Sequence, residues 1–317
     1  MERPRVAIFA PSLVLTVTVE DHGSGPDVHV HAGGQGFWQA RMLESLGFDA
    51  VLATTLIGEV GGVLRHLMED EEHVDLLAVR RDGRGAAYVH DRRGGERIAI
   101  AETGGDALSR HDIDELYGLA LRAALDADAT ILSGPAGDGI VPDDVYRRLA
   151  ADLRAAGRPV IADLAGTRLT AVLEGGVDVL KVSDDELVAD GLAASNEDGP
   201  LLEAIARLTS TGATHVVVTR STGTTLACGP EGLVEASGPT LQVVDTRGAG
   251  DSLTAGVTSV LARGGSFEDA LRLGVAAGAV NVTRHGLGSA DAETIRAMQR
   301  LVEVRPLDSG STEGDTR

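Results

Sequence analysis

The sequence predicts an α/β protein with a doubly wound, mostly parallel sheet and a small β lid. Short, continuous apolar runs alternate with amphipathic helical segments along the 317 residues, as in β–α units whose parallel sheet is covered on both faces. Two other segments alternate apolar and polar residues around a turn, which is typical of hairpins with one solvated face. Ligands of such a sheet bind at the carboxyl ends of its strands.

Six apolar runs predict the strands of the main sheet. In chain order they span residues 6–9, 51–57, 129–133, 159–163, 177–182 and 215–219. Apolar residues that recur about every three to four positions predict the helices, because that spacing places them on one helical face. The predicted helices span residues 34–46, 60–70, 109–126, 142–156, 199–211, 250–263, 266–284 and 292–301.

Two predicted hairpins interrupt this alternation. The first spans residues 13–31 around a turn at 21–26, and the second spans 86–101 around a turn at 91–96. Because they break the α/β pattern, we expect them to project from the main sheet as a lid. Exposed hairpin edges often pair between subunits, which predicts a homodimer through the β lid.

The length and the segment boundaries predict one domain. We expect residues 1–307 to form a single α/β domain, with lid segments at about 13–32 and 84–101, because α/β folds of this size often form one unit. Residues 308–317 are rich in Ser, Gly, Asp and Thr, and this composition predicts a disordered tail.

The charge balance argues against a nucleic-acid partner. The chain has 28 basic and 48 acidic side chains and a formal net charge of −20, whereas a nucleic-acid-binding protein presents a basic stripe. The sequence contains no run of about 18 consecutive apolar residues, so it predicts no membrane span. The single cysteine, Cys228, excludes an internal disulfide, and the N-terminus lacks a signal-peptide pattern, so we expect a reducing cytoplasm.

The most informative motif is the run Asp-Thr-Arg-Gly-Ala-Gly-Asp-Ser at residues 245–252. It follows a strand-like stretch at 241–244 and precedes an apolar helix. Gly248 and Gly250 allow positive φ and a close approach of the backbone to a ligand. The amides at the start of the helix then form an anion site that needs no positive side chain, which suits a phosphate ligand in an acidic protein.

Asp251 belongs to the first turn of that helix. We expect the helix end and the neighbouring amides to keep its carboxylate ionised, so that it can accept a proton from a substrate hydroxyl. The alternative is a glycine turn in which Asp251 only caps the helix. A motif of eight defined positions between a strand and a helix favours the catalytic interpretation.

This run resembles the C-terminal signature of the ribokinase-like (PfkB) carbohydrate kinases. The resemblance extends over roughly residues 5–303 and is nearest to the branch of 1-phosphofructokinase and tagatose-6-phosphate kinase. Further stretches that carry it are residues 10–19, 33–41, 132–146 and 181–187. The last of them, Lys-Val-Ser-Asp-Asp-Glu-Leu, is similar to the branch's Lys-Pro-Asn-x-x-Glu-Leu.

The resemblance implies a Rossmann-like, ribokinase-like fold and ATP-dependent phosphorylation of a sugar hydroxyl with Mg²⁺. On that analogy Asp251 is the general base, and the amides of Ala249, Gly250 and Asp251 stabilise the transferring phosphoryl group. The implied catalytic residues are Gly248, Ala249, Gly250 and Asp251. Phosphoryl transfer needs positioning and charge stabilisation more than covalent steps, and an amide loop supplies both.

The resemblance also implies a set of residues that bind the nucleotide. They are Lys181, Ser183, Glu186, Thr219, Ser221, Gly223, Arg247 and Asn281. Glu186 is the implied magnesium residue, acting through water around the metal, with a solvated carboxylate at a helix start as the alternative. An ordinary Ser/Gly turn is the alternative for residues 219–223, and a surface ion pair is the alternative for Arg247.

On the sugar side the resemblance implies a second set of residues. They are Gly33, Gly34, Gln35 and Trp38. An ordinary strand-to-helix turn is the alternative for the two glycines. The sequence departs from the branch at several matching positions. Gln35 replaces its lysine, Trp38 its asparagine, Val14 its aspartate and Gly85-Ala86 its Thr-Arg pair.

These departures remove two cationic groups and one acidic group expected around a phosphorylated sugar. Arg80 and Arg84 are candidates to replace the missing cations. Because a sugar phosphate normally needs a charged clamp, we expect fructose 1-phosphate and tagatose 6-phosphate to be poor substrates. Trp38 is a sugar-stacking platform, a plug of the pocket or part of the helix core.

We therefore expect a cytoplasmic, 1-phosphofructokinase-like kinase that uses ATP to phosphorylate a carbohydrate or sugar phosphate. A kinase for an unphosphorylated sugar, polyol or nucleoside is the first alternative. The second is a sugar- or nucleotide-binding regulator that kept the fold and lost turnover, although such a protein has no need of the base in residues 248–251. The expected partner is a small-molecule sugar or sugar phosphate, with no nucleic acid and no membrane.

Overall fold

The computed structural model describes residues 3–21, 23, 25–69, 71–220, 223–284, 288 and 290–307. The predicted tail at 308–317 and the predicted nucleotide-binding residue Ser221 lie outside the described residues, as do residues 285–287. Within the described part the chain forms a ten-stranded main sheet and a four-stranded second sheet.

Strands and helices alternate along most of the chain. The strands are β1 (Arg5–Phe9), β2 (Val14–Asp21), β3 (Pro26–Gly33), β4 (Asp49–Ile57), β5 (Val74–Arg81), β6 (Ala86–Asp91), β7 (Ile98–Thr103), β8 (Ala129–Ser133), β9 (Val160–Asp163), β10 (Val177–Ser183), β11 (Ala213–Thr219), β12 (Thr224–Gly229), β13 (Gly232–Ser237) and β14 (Glu303–Pro306). The helices are α1 (Gln35–Ser45), α2 (Gly58–Leu67), α3 (Arg110–Leu125), α4 (Asp144–Ala155), α5 (Gly166–Gly175), α6 (Asp184–Ala189), α7 (Asp198–Thr211), α8 (Ala249–Leu261), α9 (Phe267–Asn281) and α10 (Ala292–Gln299).

The main sheet is mostly parallel, which confirms the predicted fold class. Its strand order is β14-β13-β12-β11-β10-β9-β8-β1-β4-β5. All pairs from β11 to β5 are parallel, and β12, β13 and β14 continue the sheet in antiparallel pairs. The parallel strands therefore end at one common edge, where ligands of such sheets bind.

Helices pack on both faces of the main sheet. Along β1, Ala7 and Phe9 belong to one buried apolar cluster with residues of α3 and α4, whereas Val6 and Ile8 belong to another with residues of α1 and α8. Successive side chains of a strand point to opposite faces, so the clusters are the two layers of a doubly wound fold. Among the described helices, none has the length and apolar character needed to cross a bilayer.

The structure corrects one predicted strand and adds others. Residues 241–244 lie in a loop: Val243 is 57% exposed, and the N–H groups of Val244 and Asp245 donate to the carbonyl of Val282. This segment is therefore held by the end of α9 and not by the sheet. Strand β5 was not predicted, because its buried positions are interrupted by charged residues. The short antiparallel strands β12–β14 were not predicted either.

The two predicted hairpins form the second sheet, in the order β3-β2-β6-β7, as the predicted lid requires. Residues paired directly across strands share a face of the sheet. Thr18, paired with His29 and His90, therefore belongs to a polar face. Val17, paired with Val30 and Val89, belongs to an apolar face.

Candidate active site

The predicted anion loop forms the start of helix α8. Gly248 adopts φ 71°, in the left-handed region, and precedes the first helical residue, Ala249. Asp251 lies in the first turn, as predicted. The expectation of a positive φ at Gly250 was wrong, because this residue is already helical. Its small size has another cause: a Cβ at Gly250 would lie 2.6 Å from Nζ of Lys181.

Lys181 forms a buried ion pair beneath this turn. It lies opposite Asp163 on neighbouring strands β10 and β9, and its Nζ donates to Oδ1 of Asp163 at 3.1 Å. Lys181 is 8% exposed and Asp163 is 3% exposed. Burial acts to lower the pKa of Lys181, but the charges of Asp163, Glu186 and Asp251 outweigh it and raise the pKa. The ammonium is therefore charged, and it lies beside Gly250 in the first turn of α8.

The second carboxylate oxygen of Asp163 also accepts hydrogen bonds. Its Oδ2 accepts hydrogen bonds from Nε2 of Gln39 at 3.1 Å and from Oγ1 of Thr254 at 2.7 Å. Oε1 of Gln39 in turn accepts a hydrogen bond from Oγ of Ser133. This buried network ties β9 and β8 to helices α1 and α8. A buried carboxylate with every oxygen bonded holds a fixed geometry.

None of the network residues was predicted as part of the site: Asp163, Gln39, Thr254 and Ser133. Two signals were present in the sequence. Asp163 ends an apolar strand at the ligand edge of the sheet, and Gln39 is a polar residue on the buried face of α1, where it is 0% exposed. Buried polar residues are rare enough to indicate a specific partner.

The carboxyl group of Asp251 is electrostatically perturbed. Burial raises its pKa, the negative charge of Asp163 raises it further, and Lys181 lowers it, with a balance at about 8. The expectation that the helix end keeps this group ionised was wrong, because the desolvated surroundings overcome that effect. A base with a pKa near neutrality is well matched to proton transfer.

Gln35 influences Asp251 and also lies near the sugar-side residues. It is the first residue of α1, and its Oε1 accepts a hydrogen bond from the N–H of Gly134 at 2.8 Å. A side-chain hydrogen bond with Gln35 also lowers the pKa of Asp251. The structure therefore brings together Gln35, Lys181 and Asp251, from three different elements.

The other predicted sugar-side residues lie where the lid meets α1. Gly34 has φ 104° and caps α1, and Gly33 ends β3. A Cβ at Gly33 would lie 3.0 Å from Oγ1 of Thr16 and 3.4 Å from Cζ2 of Trp38. Trp38 is partly buried and packs against the apolar layer that contains α8. The indole of Trp38 thus packs against the helix core and also lies beside the lid.

Ser183 and Glu186 form a capping box at the start of α6. Oε2 of Glu186 accepts hydrogen bonds from the N–H of Ser183 at 2.8 Å and from its Oγ at 2.7 Å. Glu186 therefore does act as a carboxylate at a helix start, which was its alternative role. Its other oxygen, Oε1, has no hydrogen-bond partner among the described residues. In the described part of the chain, no cluster of three His, Cys, Asp or Glu side chains could hold a metal by itself.

The remaining nucleotide-side residues lie around this centre. Thr219 ends β11 next to the end of β10, and Gly223 has φ 86°. Asn281 is fully buried, and both ends of its amide bind backbone: Nδ2 donates to the carbonyl of Arg247, and Oδ1 accepts from the N–H of Gly288. Asn281 thus shapes the loop before α8. The described contacts do not join Thr219, Gly223 or Asn281 to Asp251.

The lid is closed onto the loops at the ligand edge. Nη1 of Arg92 lies 3.4 Å from Oδ2 of Asp245, in the loop before α8. The hydroxyl of Tyr88 donates to the carbonyl of Ala136 at 2.9 Å, in the segment after β8. Arg84, a candidate for the missing clamp, instead pairs with Asp106 and has an 84% exposed side chain.

Comparison with known proteins identifies the family. Residues 7–295 match the model described as pfkB family carbohydrate kinase. The chain belongs to the pfkB family of carbohydrate kinases. As a member of this family, the protein is an enzyme that transfers a phosphoryl group from ATP to a carbohydrate.

Individual relatives agree with the family. The kinase is 26% identical over 304 residues to 1-phosphofructokinase of Vibrio cholerae, covering 94% of this chain and 95% of the relative. It is 29% identical over 266 residues to the bifunctional protein HldE of Hyphomonas neptunium, covering 81% of this chain but only 54% of that longer protein. The tetrameric inhibited form of phosphofructokinase-2 from Escherichia coli superposes with a TM-score of 0.78 at 25% identity, over 95% of this chain and 99% of that one.

Substituting Gly250 tests the contact between the first turn of α8 and Lys181. Gly250→Val places side-chain carbons where Nζ of Lys181 now lies, 2.6 Å from the position of Cβ. Displacing a catalytic-site group by about 1 Å can cost on the order of 10²-fold in rate, so we expect kcat to fall by that order. The matched control is Gly118→Val, at a helical glycine whose Cβ would meet nothing within 4 Å. Equal kinetics for both variants would show that the loop is only a turn.

Proposed function

We propose that this kinase transfers the γ-phosphoryl group of ATP to a hydroxyl of a carbohydrate or sugar phosphate, with Asp251 as the general base. The observation that carries the proposal is the position of Asp251 in the first turn of α8, directly after the glycine-rich loop and beside the Lys181 ammonium. Helix-start amides suit a phosphate, and the adjacent carboxylate suits a hydroxyl that must lose a proton.

The proposed step uses groups of this chain throughout. Asp251 takes the proton of the substrate hydroxyl while the hydroxyl oxygen forms a bond to the γ-phosphorus. The bond from that phosphorus to the β–γ bridging oxygen breaks, and ADP is released. The amides of Ala249, Gly250 and Asp251 stabilise the charge on the transferring group. Lys181, held by Asp163, adds a fixed positive charge beside the turn. The closed lid excludes water and suppresses hydrolysis of ATP.

Mg²⁺ is part of this proposal. It would neutralise charge on the ATP phosphates during transfer. The available protein donor is Oε1 of Glu186, since Oε2 is used by the Ser183 cap. One carboxylate with phosphates and waters is the usual arrangement for Mg²⁺, so the residues fit. ATP turnover that requires Mg²⁺ and weakens in Glu186→Gln would support this role.

For the substrate, we propose that fructose 1-phosphate and tagatose 6-phosphate are poor substrates. Gln35 stands where the branch has a lysine, and its Oε1 is bound to Gly134. Ala86 is buried in the lid, and Arg84 is paired with Asp106. A missing charge-assisted contact costs roughly 1.5–3 kcal/mol, about one to two powers of ten in affinity. These observations favour a free sugar, polyol or nucleoside.

A kinetic panel of free sugars, sugar phosphates and nucleosides with MgATP tests the substrate proposal. We expect the highest kcat/KM for an unphosphorylated compound, with each missing contact lowering the value for a phosphorylated one by about tenfold to a hundredfold. A highest kcat/KM for fructose 1-phosphate would contradict it and would direct attention to alanine variants of Arg80 and Arg84. ATP binding without turnover on the whole panel would favour the regulator.

The kinase is also proposed to form a homodimer through the lid. On the apolar face of the second sheet, Val28 is 57% exposed, Val30 41% and Ile98 61%. Exposed apolar surface on a sheet favours association with a second copy. Light scattering should therefore show a dimer for the natural chain and a monomer for Val30→Asp. A monomeric natural chain would contradict the lid interface.

Two wider expectations remain proposals. We propose that residues 1–307 form one domain, because β1 and β14 belong to the same sheet. A single cooperative unfolding transition would support it, and two separated transitions would oppose it. We also propose a cytoplasmic location, which fractionation of the producing cells tests.

A further inference from the structure

We propose that His90 of the lid binds the acceptor substrate, with the two nitrogens of its imidazole ring hydrogen-bonded to hydroxyl groups of an uncharged sugar or polyol. The inference rests on the proposed function, because His90 has this task only in a kinase whose acceptor lies beneath the lid. It makes the lid a part of the site that selects the class of substrate, in addition to excluding water.

The side chain of His90 is buried without a hydrogen-bond partner. It is 1% exposed, and neither Nδ1 nor Nε2 has a partner among the described residues. The ring packs edge-to-face with the ring of Tyr88, with 6.0 Å between the two centroids, which holds its orientation. Buried polar atoms in folded proteins are nearly always hydrogen-bonded, so two orphaned nitrogens in one buried ring point to a bound ligand.

The neighbours of His90 place it over the ligand edge of the main sheet. Side chains two residues apart on a strand share a face, so Tyr88 and His90 lie on the same face of the lid. The hydroxyl of Tyr88 donates to the carbonyl of Ala136, in the segment after β8. Two residues after His90, Nη1 of Arg92 lies 3.4 Å from Oδ2 of Asp245, in the loop before α8. His90 therefore lies along the lid between the two residues that contact the loops at this edge.

The surroundings of His90 keep its ring neutral. Burial lowers the pKa of His90, and the positive charges of Arg97 and Arg247 lower it further, against an opposite effect of Glu102. A neutral imidazole has one N–H donor and one acceptor nitrogen. Sugar hydroxyls both donate and accept, whereas ionised carboxylate and phosphate groups present acceptor oxygens. Hydroxyl groups can therefore match both nitrogens, and an anion can match only one.

The arginine side chains at this end of the lid would favour an anion instead. However, Nη1 of Arg92 lies 3.6 Å from Oε1 of Glu20 as well as 3.4 Å from Asp245, and Nη2 of Arg97 lies 4.0 Å from Asp245. These two carboxylates balance the two guanidinium charges. The exposed Arg247 adds one further positive charge, so the experiment includes an anionic acceptor as the opposing outcome.

Substitution of His90 by phenylalanine tests the proposal through KM and through stability. The acceptors are D-ribose, D-fructose and D-sorbitol, with fructose 1-phosphate as the anion. Because His90→Phe removes both nitrogens, we expect the KM of the best uncharged acceptor to rise by about tenfold to a hundredfold, with the KM of MgATP unchanged. Without sugar, its Tm should rise, because an apolar ring replaces a buried polar ring that has no partner.

Two further variants keep part of the ring's hydrogen bonding. His90→Asn places an amide near the position of Nδ1, and His90→Gln places one near Nε2. Each variant loses one of the two contacts, so the KM of the sugar should rise in each by less than in His90→Phe. If His90→Phe does not fold, these variants decide, and a natural KM in both of them overturns the inference.

The matched control is His215→Phe on β11. Both ring nitrogens of His215 have partners, at 3.3 Å from the carbonyl of Asp178 and at 3.3 Å from Oε2 of Glu231. This variant should have a lower Tm and an unchanged KM for the sugar. The same pattern in His90→Phe would make His90 a structural residue and would overturn the inference alone.

The remaining outcomes concern the class of substrate and the reaction itself. A highest kcat/KM for fructose 1-phosphate, with its KM raised in Arg247→Ala, would assign this end of the lid to an anion and overturn the inference, while the kinase activity would stand. Full turnover by Asp251→Asn would overturn the assigned general base and would leave the role of His90 in place. ATP turnover with no acceptor of any class would overturn the proposed function.

Discussion

Replacing Asp251 with asparagine should lower kcat by about 10²–10⁴-fold, the usual contribution of a positioned general base. Asparagine keeps the shape of the side chain but cannot take the proton of the substrate hydroxyl. The amides of the turn from Gly248 to Gly250 are backbone groups, so the site for the ATP phosphates remains. Release of ADP in a coupled assay measures the first effect, and calorimetric titration with ATP measures the second.

The pH dependence of the natural enzyme should report the same group. The pKa of Asp251 is raised to about 8, so the carboxyl is protonated and inactive below that pH and ionised above it. We therefore expect kcat/KM to fall as the pH drops below about 8 and to level off above it. The residual activity of Asp251→Asn should lack this acid limb, because the titrating group is gone.

The matched control is Asp114→Asn on α3, which removes one exposed carboxylate of the same type. It should leave kcat and the pH profile unchanged. Near-normal turnover by Asp251→Asn, or a limb that survives the substitution, would assign the proton transfer to another group.

Local sequence patterns predicted the features that depend on local structure. The period of apolar residues located strands such as β8 and helices such as α3 within a few residues. The motif at 245–252 located the turn of α8, because its glycine and carboxylate positions act within a few residues of one another. The same reasoning failed at 241–244, where an apolar stretch is held by the carbonyl of Val282 and not by a strand.

The interior of the site depends on contacts between distant parts of the chain. Gln39 and Asp163 are 124 positions apart, and Thr254 and Asp163 are 91 apart. No local spacing encodes such a contact. For the same reason the glycine at position 250 was attributed to backbone conformation. In the structure it leaves room for Nζ of Lys181, which lies on strand β10. Gln35 was assigned to the sugar through its motif, and only the fold shows that its Oε1 accepts a hydrogen bond from the N–H of Gly134.

Lys181→Met should be the most destabilising single substitution in the site. It leaves the Asp163 carboxylate buried without its counter-ion, and breaking a buried pair in this way costs about 3–5 kcal/mol. Oδ2 of Asp163 keeps the bonds from Gln39 and Thr254, but Oδ1 loses its donor. Denaturant unfolding of the two proteins measures the difference. The variant should also lose turnover, because a fixed positive charge beside Asp251 disappears.

The double variant Lys181→Met with Asp163→Asn separates stability from catalysis. Asparagine removes the unpaired charge while its carbonyl oxygen still accepts a hydrogen bond from Thr254. Replacing both partners of a buried pair is far less costly than removing one, so most of the lost stability should return. Turnover should not return, since the ammonium beside the catalytic turn is still absent. If the double variant is as unstable as Lys181→Met, the ion pair is not the source of the loss. If turnover recovers with stability, Lys181 acts only by holding the fold together.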